Sequence, residues 1–459
     1  MNSDDATLQL IRLSVFLIGA TVLVTLLARR INLPYTVALV AFGIVAGAVA
    51  QPLQVDITPQ LVLVVLLPAL IFEATYQTDF AKLRPSIAGV ALLAGPGVFI
   101  SALLIAAALH FGAGLAWPEA FVVGAMLSAT DPAAVIATFK RLRSPRRLAT
   151  LVEAESVFND GTGIVLFALA VDFVTRPVGL AEAGMAFVAV VALSGALGAV
   201  AGYVASRILP NVGDHLIEVS LSVVLAYGTY LVADGLHQSG VIATAVAGIV
   251  LGTYGRRNGL SPKTEEALDT VWEFVAFLAT AFIFLVVGFS IAAHSLVDVA
   301  APIAWAVAAA LVGRALIVYG LLGGWRMVLR ALGARHQAVA VPGKVARDEG
   351  KAARDEAGLP LGWLHVIFWS GLRGAVSTAL ALSLPLDFPN RAQLQGITFG
   401  VVLFTLVVQA TTAELVLARW ARTPTDPPRS RSDSNPKMRQ KPGRSAEIAG
   451  PPADPGSES

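Results

Sequence analysis

Runs of mostly apolar residues, each about as long as a bilayer is thick, fill this chain to about residue 420, with short polar interruptions between them. A helix needs ~20 such residues to cross the hydrocarbon. On that criterion the pattern predicts thirteen spans, near 7–28, 34–50, 58–76, 86–111, 117–139, 150–175, 181–206, 215–236, 239–254, 268–291, 297–324, 362–386 and 391–418. The first run follows "MNSDDATLQL", with no basic stretch ahead of it and no small-residue cleavage site behind it, so it reads as a retained span. Two longer polar stretches remain. Residues 325–361 predict a cytoplasmic loop, and the Pro-, Ser- and Arg-rich stretch 423–459 predicts a disordered tail.

The polar interruptions test the count. Connections after odd-numbered spans carry twenty Lys and Arg residues, from Arg29 and Arg30 to the seven between Arg326 and Arg354. Connections after even-numbered spans carry only Arg176 and Arg391. Basic residues concentrate in cytoplasmic loops. The N-terminus is therefore expected outside and the C-terminus in the cytoplasm, an alternation that a wrong count would scramble. Thirteen spans divide as six, a linker and six, which gives the second half the opposite orientation. That is the inverted-repeat logic of many secondary transporters, with span 5 matching span 12 and span 6 matching span 13.

Composition sharpens the class. The 459 residues are 56% hydrophobic and 14% charged, against about 25% charged in soluble domains. This is an all-α polytopic membrane protein whose surroundings are lipid. The net charge of +2 does not point to nucleic acid, and the absence of cysteine excludes disulfides and thiolate metal sites. His110, His294 and the other histidines lack metal-ligand spacing.

An ionisable side chain at mid-membrane costs at least ~2.5–3.5 kcal/mol, so each one is a functional hypothesis. Span 6 holds "EAESVFNDGTGIVLF", Glu153 to Phe167. There Ser156 and Asp160 share one helical stripe, and Glu155 and Asn159 share the next. Hydroxyl and carboxylate oxygens suit a hard monovalent cation. Burial favours the protonated acid and a bound cation favours the carboxylate, so Asp160 can hold one or the other. Helix packing through interhelical hydrogen bonds would explain Asn159 and Ser156, but not the acid.

Span 5 holds "LSATDPAAV". Pro132 disfavours helix before it, so the span is expected to break near Thr130 and to free carbonyls there. Asp131 reads as an N-cap with Pro at the first helical position, rather than as a ligand. In span 12, "WSGLRGAVSTAL" sets Arg373 between Gly371 and Gly374, which suggests a second break. A buried guanidinium needs a carboxylate, and Glu155 is the first candidate. Glu73, in "LLPALIFEATYQTDF", reads either as an interface anchor or as an acid on the ion path. Arg314 in span 11 reads as a structural cation, and Glu273 in span 10 as ordinary.

Taken together and in this order, "LLPALIFEATY", "SATDPAAV", "EAESVFNDGTGIVLF" and "GLRGAVS" resemble the monovalent cation/proton antiporters of the NhaP and sodium/hydrogen exchanger type, over about residues 10–420. The resemblance implies a transmembrane domain over 1–422, two crossed discontinuous helices, and a homodimer in the cell's inner membrane that serves pH homeostasis. Its moving core would comprise about 86–175 and 297–418, and its dimerisation scaffold about 7–76 and 215–291. No cofactor is implied; the transported ions are H+ and Na+, or Li+ or K+.

By position, the resemblance assigns the ion- and proton-binding acid to Asp160 and its partner to Asn159. Ser156 and Glu73 become side-chain ligands, and Thr130 contributes mainly through its backbone. Asp131 becomes the acid at the helix crossing, and Glu155 with Arg373 a core ion pair. The Asn-Asp pairing resembles the electroneutral branch. Two rivals from other classes have less behind them. An intramembrane aspartyl protease would use Asp131 and Asp160, but the Gly-x-Gly-Asp context is missing; a channel would need a filter-like repeat, and none is found.

Overall fold

The computed structural model describes residues 3–31, 33–49, 59–78, 87–142, 144–175, 180–258, 260–293, 296–325, 327 and 360–420, so the cytoplasmic loop and tail expected above lie almost wholly outside the described residues. Every described element is helical. In chain order these are α1 (Ser3–Arg30), α2 (Tyr35–Val49), α3 (Leu67–Gln77, entered through a π turn at Leu61–Leu66), α4 (Ile87–Ala94) and α5 (Pro96–Ala113). Then come α6 (Trp117–Met126), α7 (Ala133–Leu142), α8 (Arg146–Thr175), α9 (Leu180–Ile208), α10 (His215–Gly235) and α11 (Gly240–Val250). The second half holds α12 (Pro262–Ala293), α13 (Ala300–Ala315, continued by a π turn to Leu322), α14 (Leu361–Trp369) and α15 (Ala375–Leu382). It ends with α16 (Arg391–Phe404), a π turn at Thr405–Ala410, and α17 (Thr411–Trp420).

Among the described residues, seven continuous helical stretches are long and apolar enough to cross a membrane, and three shorter apolar helices accompany them. Spans 5 and 12 depart from continuity where the sequence predicts. Span 5 is α6 and α7 with residues 127–132 outside the helix, and span 12 is α14 and α15 with residues 370–374 outside it. A further break, which sequence reading missed, divides span 4 at Gly95, one residue ahead of Pro96. Pro96 has no N–H to give the preceding turn, and the Ala94 carbonyl, left without a backbone partner where the helix restarts, accepts from Thr162 Oγ1 of α8 at 2.6 Å.

Small residues set how closely the helices approach, as expected where lipid removes the hydrophobic drive between helices. Gly43 of α2 faces Gly288 of α12, and a Cβ on Gly43 would lie 2.8 Å from the Gly288 Cα. Gly124 of α6 likewise meets the Ala102 backbone of α5, and Gly198 of α9 meets that of Ala243 in α11. Gly288→Val is therefore expected to force α2 and α12 apart at a cost of about 1–3 kcal/mol. A fall in thermal unfolding temperature would show this; an unchanged one would refute the contact.

Candidate functional site

The two unwound segments meet in the middle of the bundle. The backbone N–H of Asp131 donates to the Leu372 carbonyl at 2.8 Å, and the Asp131 carboxylate accepts from the Ala375 N–H at 3.0 Å. Asp131 therefore caps α15, the half-helix of the other break, and supplies negative charge at its positive end. The sequence suggested a cap for its own helix. Gly374 has to be glycine, because a Cβ there would overlap the Asp131 side chain. Asp131→Ala is expected to cost about 0.5–2 kcal/mol of stability while Asp131→Asn, which keeps an acceptor, costs less. Thermal unfolding of the two variants checks the order.

Arg373 answers from the other side. It is 2% exposed, and its guanidinium donates to the carbonyls of Ser128 and Ala129 at 3.2 and 3.1 Å, just past the end of α6. A cation thus compensates the negative end of α6, as Asp131 compensates the positive end of α15. The ion pair expected between Arg373 and Glu155 is not the one that forms. Glu155 pairs with Arg314 of α13 through two bonds, Nη1 to Oε1 at 2.8 Å and Nη2 to Oε2 at 3.0 Å. Arg314 also donates 2.9 Å to the Ile367 carbonyl, which the break in span 12 leaves free. It reaches that point because Gly371 has no side chain: a Cβ there would sit 2.7 Å from Arg314 Nε. Arg314, read from sequence as structural, is thus the partner of the acid in span 6.

The α8 residues converge on the first break. Ser156 Oγ donates to the Thr130 carbonyl at 2.5 Å, and Asn159 Nδ2 donates to Thr130 Oγ1 at 3.0 Å and to Glu155 Oε1 at 3.3 Å. Asn159 is thereby fixed with its own Oδ1 buried and without a partner. One position on, Asp160 also has a buried Oδ1 without a partner, and the carboxylates of Asp131 and Glu155 lie within electrostatic range of it. Among the described residues, Asp160 forms no ion pair. Glu73 is half-buried on α3, a helix that touches α8. The structure thus gathers Thr130, Asp131, Glu155, Ser156, Asn159, Asp160 and Arg373 around one crossing, and adds Arg314.

The second break has its own attendant. Thr405, in the π turn of span 13, accepts from the Arg373 N–H at 3.2 Å and donates to the Arg373 carbonyl at 3.0 Å. Span 13 thus serves the break in span 12 as span 6 serves the break in span 5. Sequence reading missed Thr405, and a buried Thr and Gln in "TLVVQA" were the signal available.

Two unwound helices crossing in a helical membrane bundle, with buried acids at the crossing, define a secondary transporter. Residues 17–419 match the family model described as sodium/hydrogen exchanger, transmembrane. The chain belongs to that family, one of transporters and not of enzymes. It is 37% identical over 413 residues to the low-affinity Na(+)/H(+) antiporter NhaS1 of Synechocystis, spanning 89% of this chain and 73% of that one. Against the Na(+)/H(+) antiporter NhaH of Halobacillus aidingensis the identity is 35%, over 88% of this chain and 96% of the relative. The fold is also that of the sodium proton antiporter MjNhaP1 from Methanocaldococcus jannaschii, with a TM-score of 0.71 over 91% of this chain and 100% of that one, at 18% identity.

Proposed function

We propose that this multi-pass membrane protein exchanges a monovalent cation for a proton, one for one, with Asp160 binding either ion in turn. The observation that carries this is Asp160 itself, with a buried, unpartnered oxygen one residue after Asn159, whose own Oδ1 is also unpartnered. Thr130, Ser156, Asn159 and Glu73 complete the oxygen set offered to the cation. The relatives' names favour Na+; Li+ and K+ suit the same oxygens, and K+/H+ exchange on this fold is the second reading.

Charge supports the stoichiometry. Glu155 is matched by Arg314, and Asp131 and Arg373 bring one charge of each sign to the crossing. A proton or a monovalent cation on Asp160 then leaves the same charge in both loaded forms, so one-for-one exchange carries no net charge across the membrane. The proposed movement is an elevator. A core of about 86–175 and 297–418 shifts against a scaffold of about 7–76 and 215–291, within thirteen crossings, with the N-terminus outside and the C-terminus in the cytoplasm. The scaffold helps form a homodimer in the cell membrane, and α9, which lies outside both the core and the scaffold ranges, adds widely exposed apolar side chains, Met185, Val188, Leu193 and Val200 among them.

Collapse of a pH gradient in everted vesicles, on adding Na+, Li+ and K+ in turn, tests the exchange. At least one cation is expected to dissipate it, without acceleration by a membrane potential. No response to any of the three would sink the reading. Competition also fixes the pH dependence. Below the site's pKa the competent, ionised fraction falls tenfold per pH unit, so the apparent Km for the cation rises about tenfold per unit. A Km that ignores pH would mean separate sites.

A further inference from the structure

Beside Arg373, between α13 and span 13, lies a small cavity that the exchange site does not use. Its polar wall is Arg314, Gly371, Arg373, Thr405 and Gln409. Three of these lining residues each carry a buried atom without a hydrogen-bond partner: Nε of Arg314, Nε of Arg373 and Oε1 of Gln409. Their residues are 5%, 2% and 2% exposed. Buried polar groups are almost always paired, so three unpaired around one cavity point to a ligand.

Size and chemistry choose which. The cavity leaves about 10 Å³ for the centre of a water-sized sphere, the smallest space that holds one water. Two guanidinium N–H groups need an acceptor, which rules out a cation, and the Gln409 oxygen needs a donor. A bare anion supplies no donor. Water accepts from both Nε–H groups and donates to Oε1. We infer that this cavity is a built site for one water molecule bridging Arg314, Arg373 and Gln409.

The bridge closes a circuit. Arg314 holds Glu155 of span 6, Arg373 holds the carbonyls at the break in span 5, and Gln409 stands one helical turn after Thr405, which grips the Arg373 backbone. One water thereby joins the charged groups of both inverted halves into a single network, with Gln409 as a positioning residue that never touches the transported ion.

Structures of the purified full chain, solved in chloride and again in bromide at a resolution that shows ordered water, test this. One peak is expected within about 3.2 Å of all three atoms, equal in the two salts. A peak that strengthens in bromide identifies an anion and overturns the inference, as does finding the three atoms paired with protein groups and no peak between them. Gln409→Leu, of similar volume but without the acceptor, is expected to lose the peak and slow exchange roughly threefold to tenfold at unchanged apparent Km. Gln409→Glu, which keeps an oxygen there, is expected to restore the peak. Wild-type rate with the peak intact in Gln409→Leu would refute the role of Gln409. Should neither variant fold, the wild-type peak decides alone, and it does so whether or not any cation is transported.

Discussion

Asp160→Asn is expected to fold, reach the membrane and exchange nothing. Asparagine has nearly the shape of aspartate, so the packing of α8 against the break at Thr130 stays as it is. What the substitution removes is the charge and the titration together, the two properties that competition between a proton and a cation requires. Stability should move the other way. The wild-type carboxyl has a buried oxygen with no partner, and an unpaired acid in a membrane bundle is held at an energetic cost. The neutral amide relieves it, so the unfolding temperature of the variant is expected to equal or exceed that of wild type. Loss of exchange with unchanged or raised stability separates a functional residue from a structural one. Two measurements on one preparation suffice: gradient collapse in vesicles and thermal unfolding. Cation-driven collapse by the variant at anything near the wild-type rate would remove Asp160 from the mechanism, whatever the family of the chain.

How far the sequence reaches depends on how local the determinant is. The helices are legible because each apolar run is its own signal, and the unwound segments are legible because Pro132 and the glycines around Arg373 act on their immediate neighbours. The convergence of Ser156, Asn159 and Asp160 follows from helical spacing within α8. Pairing between helices is a different matter. Arg314 and Arg373 both read as buried cations in need of an acid. Which one meets Glu155 is fixed by the depth at which α13 and span 12 pass α8, and no periodicity in either segment records that depth. The Asp131 carboxylate illustrates the same limit. Its capping chemistry was legible, yet the helix it caps lies on another part of the chain. Thr405 and Gln409 were hidden further, because a π turn shifts their faces away from the regular helical period.

The pairing of Glu155 with Arg314 makes the second large prediction, and a double-mutant cycle decides it. Glu155 and Arg314 are 2% and 5% exposed, so neither charge has access to enough water to stand alone. Glu155→Gln removes the acid and leaves Arg314 buried without its counter-charge, which is expected to cost about 3–5 kcal/mol, enough to abolish folded protein in a marginal bundle. Arg314→Met leaves Glu155 in the same position and is expected to cost as much. The double variant Glu155→Gln with Arg314→Met removes both charges and should recover most of the loss, because replacing a buried pair by neutral groups of similar volume is often nearly neutral. Arg373 is the control. Its Nη1 donates to the Ser128 and Ala129 carbonyls and it makes no ion pair with Glu155, so Glu155→Gln and Arg373→Met should couple more weakly than Glu155→Gln and Arg314→Met. Thermal unfolding of the two cycles side by side reads the partner directly. Strong coupling of Glu155 to Arg373 and weak coupling to Arg314 would reverse the assignment.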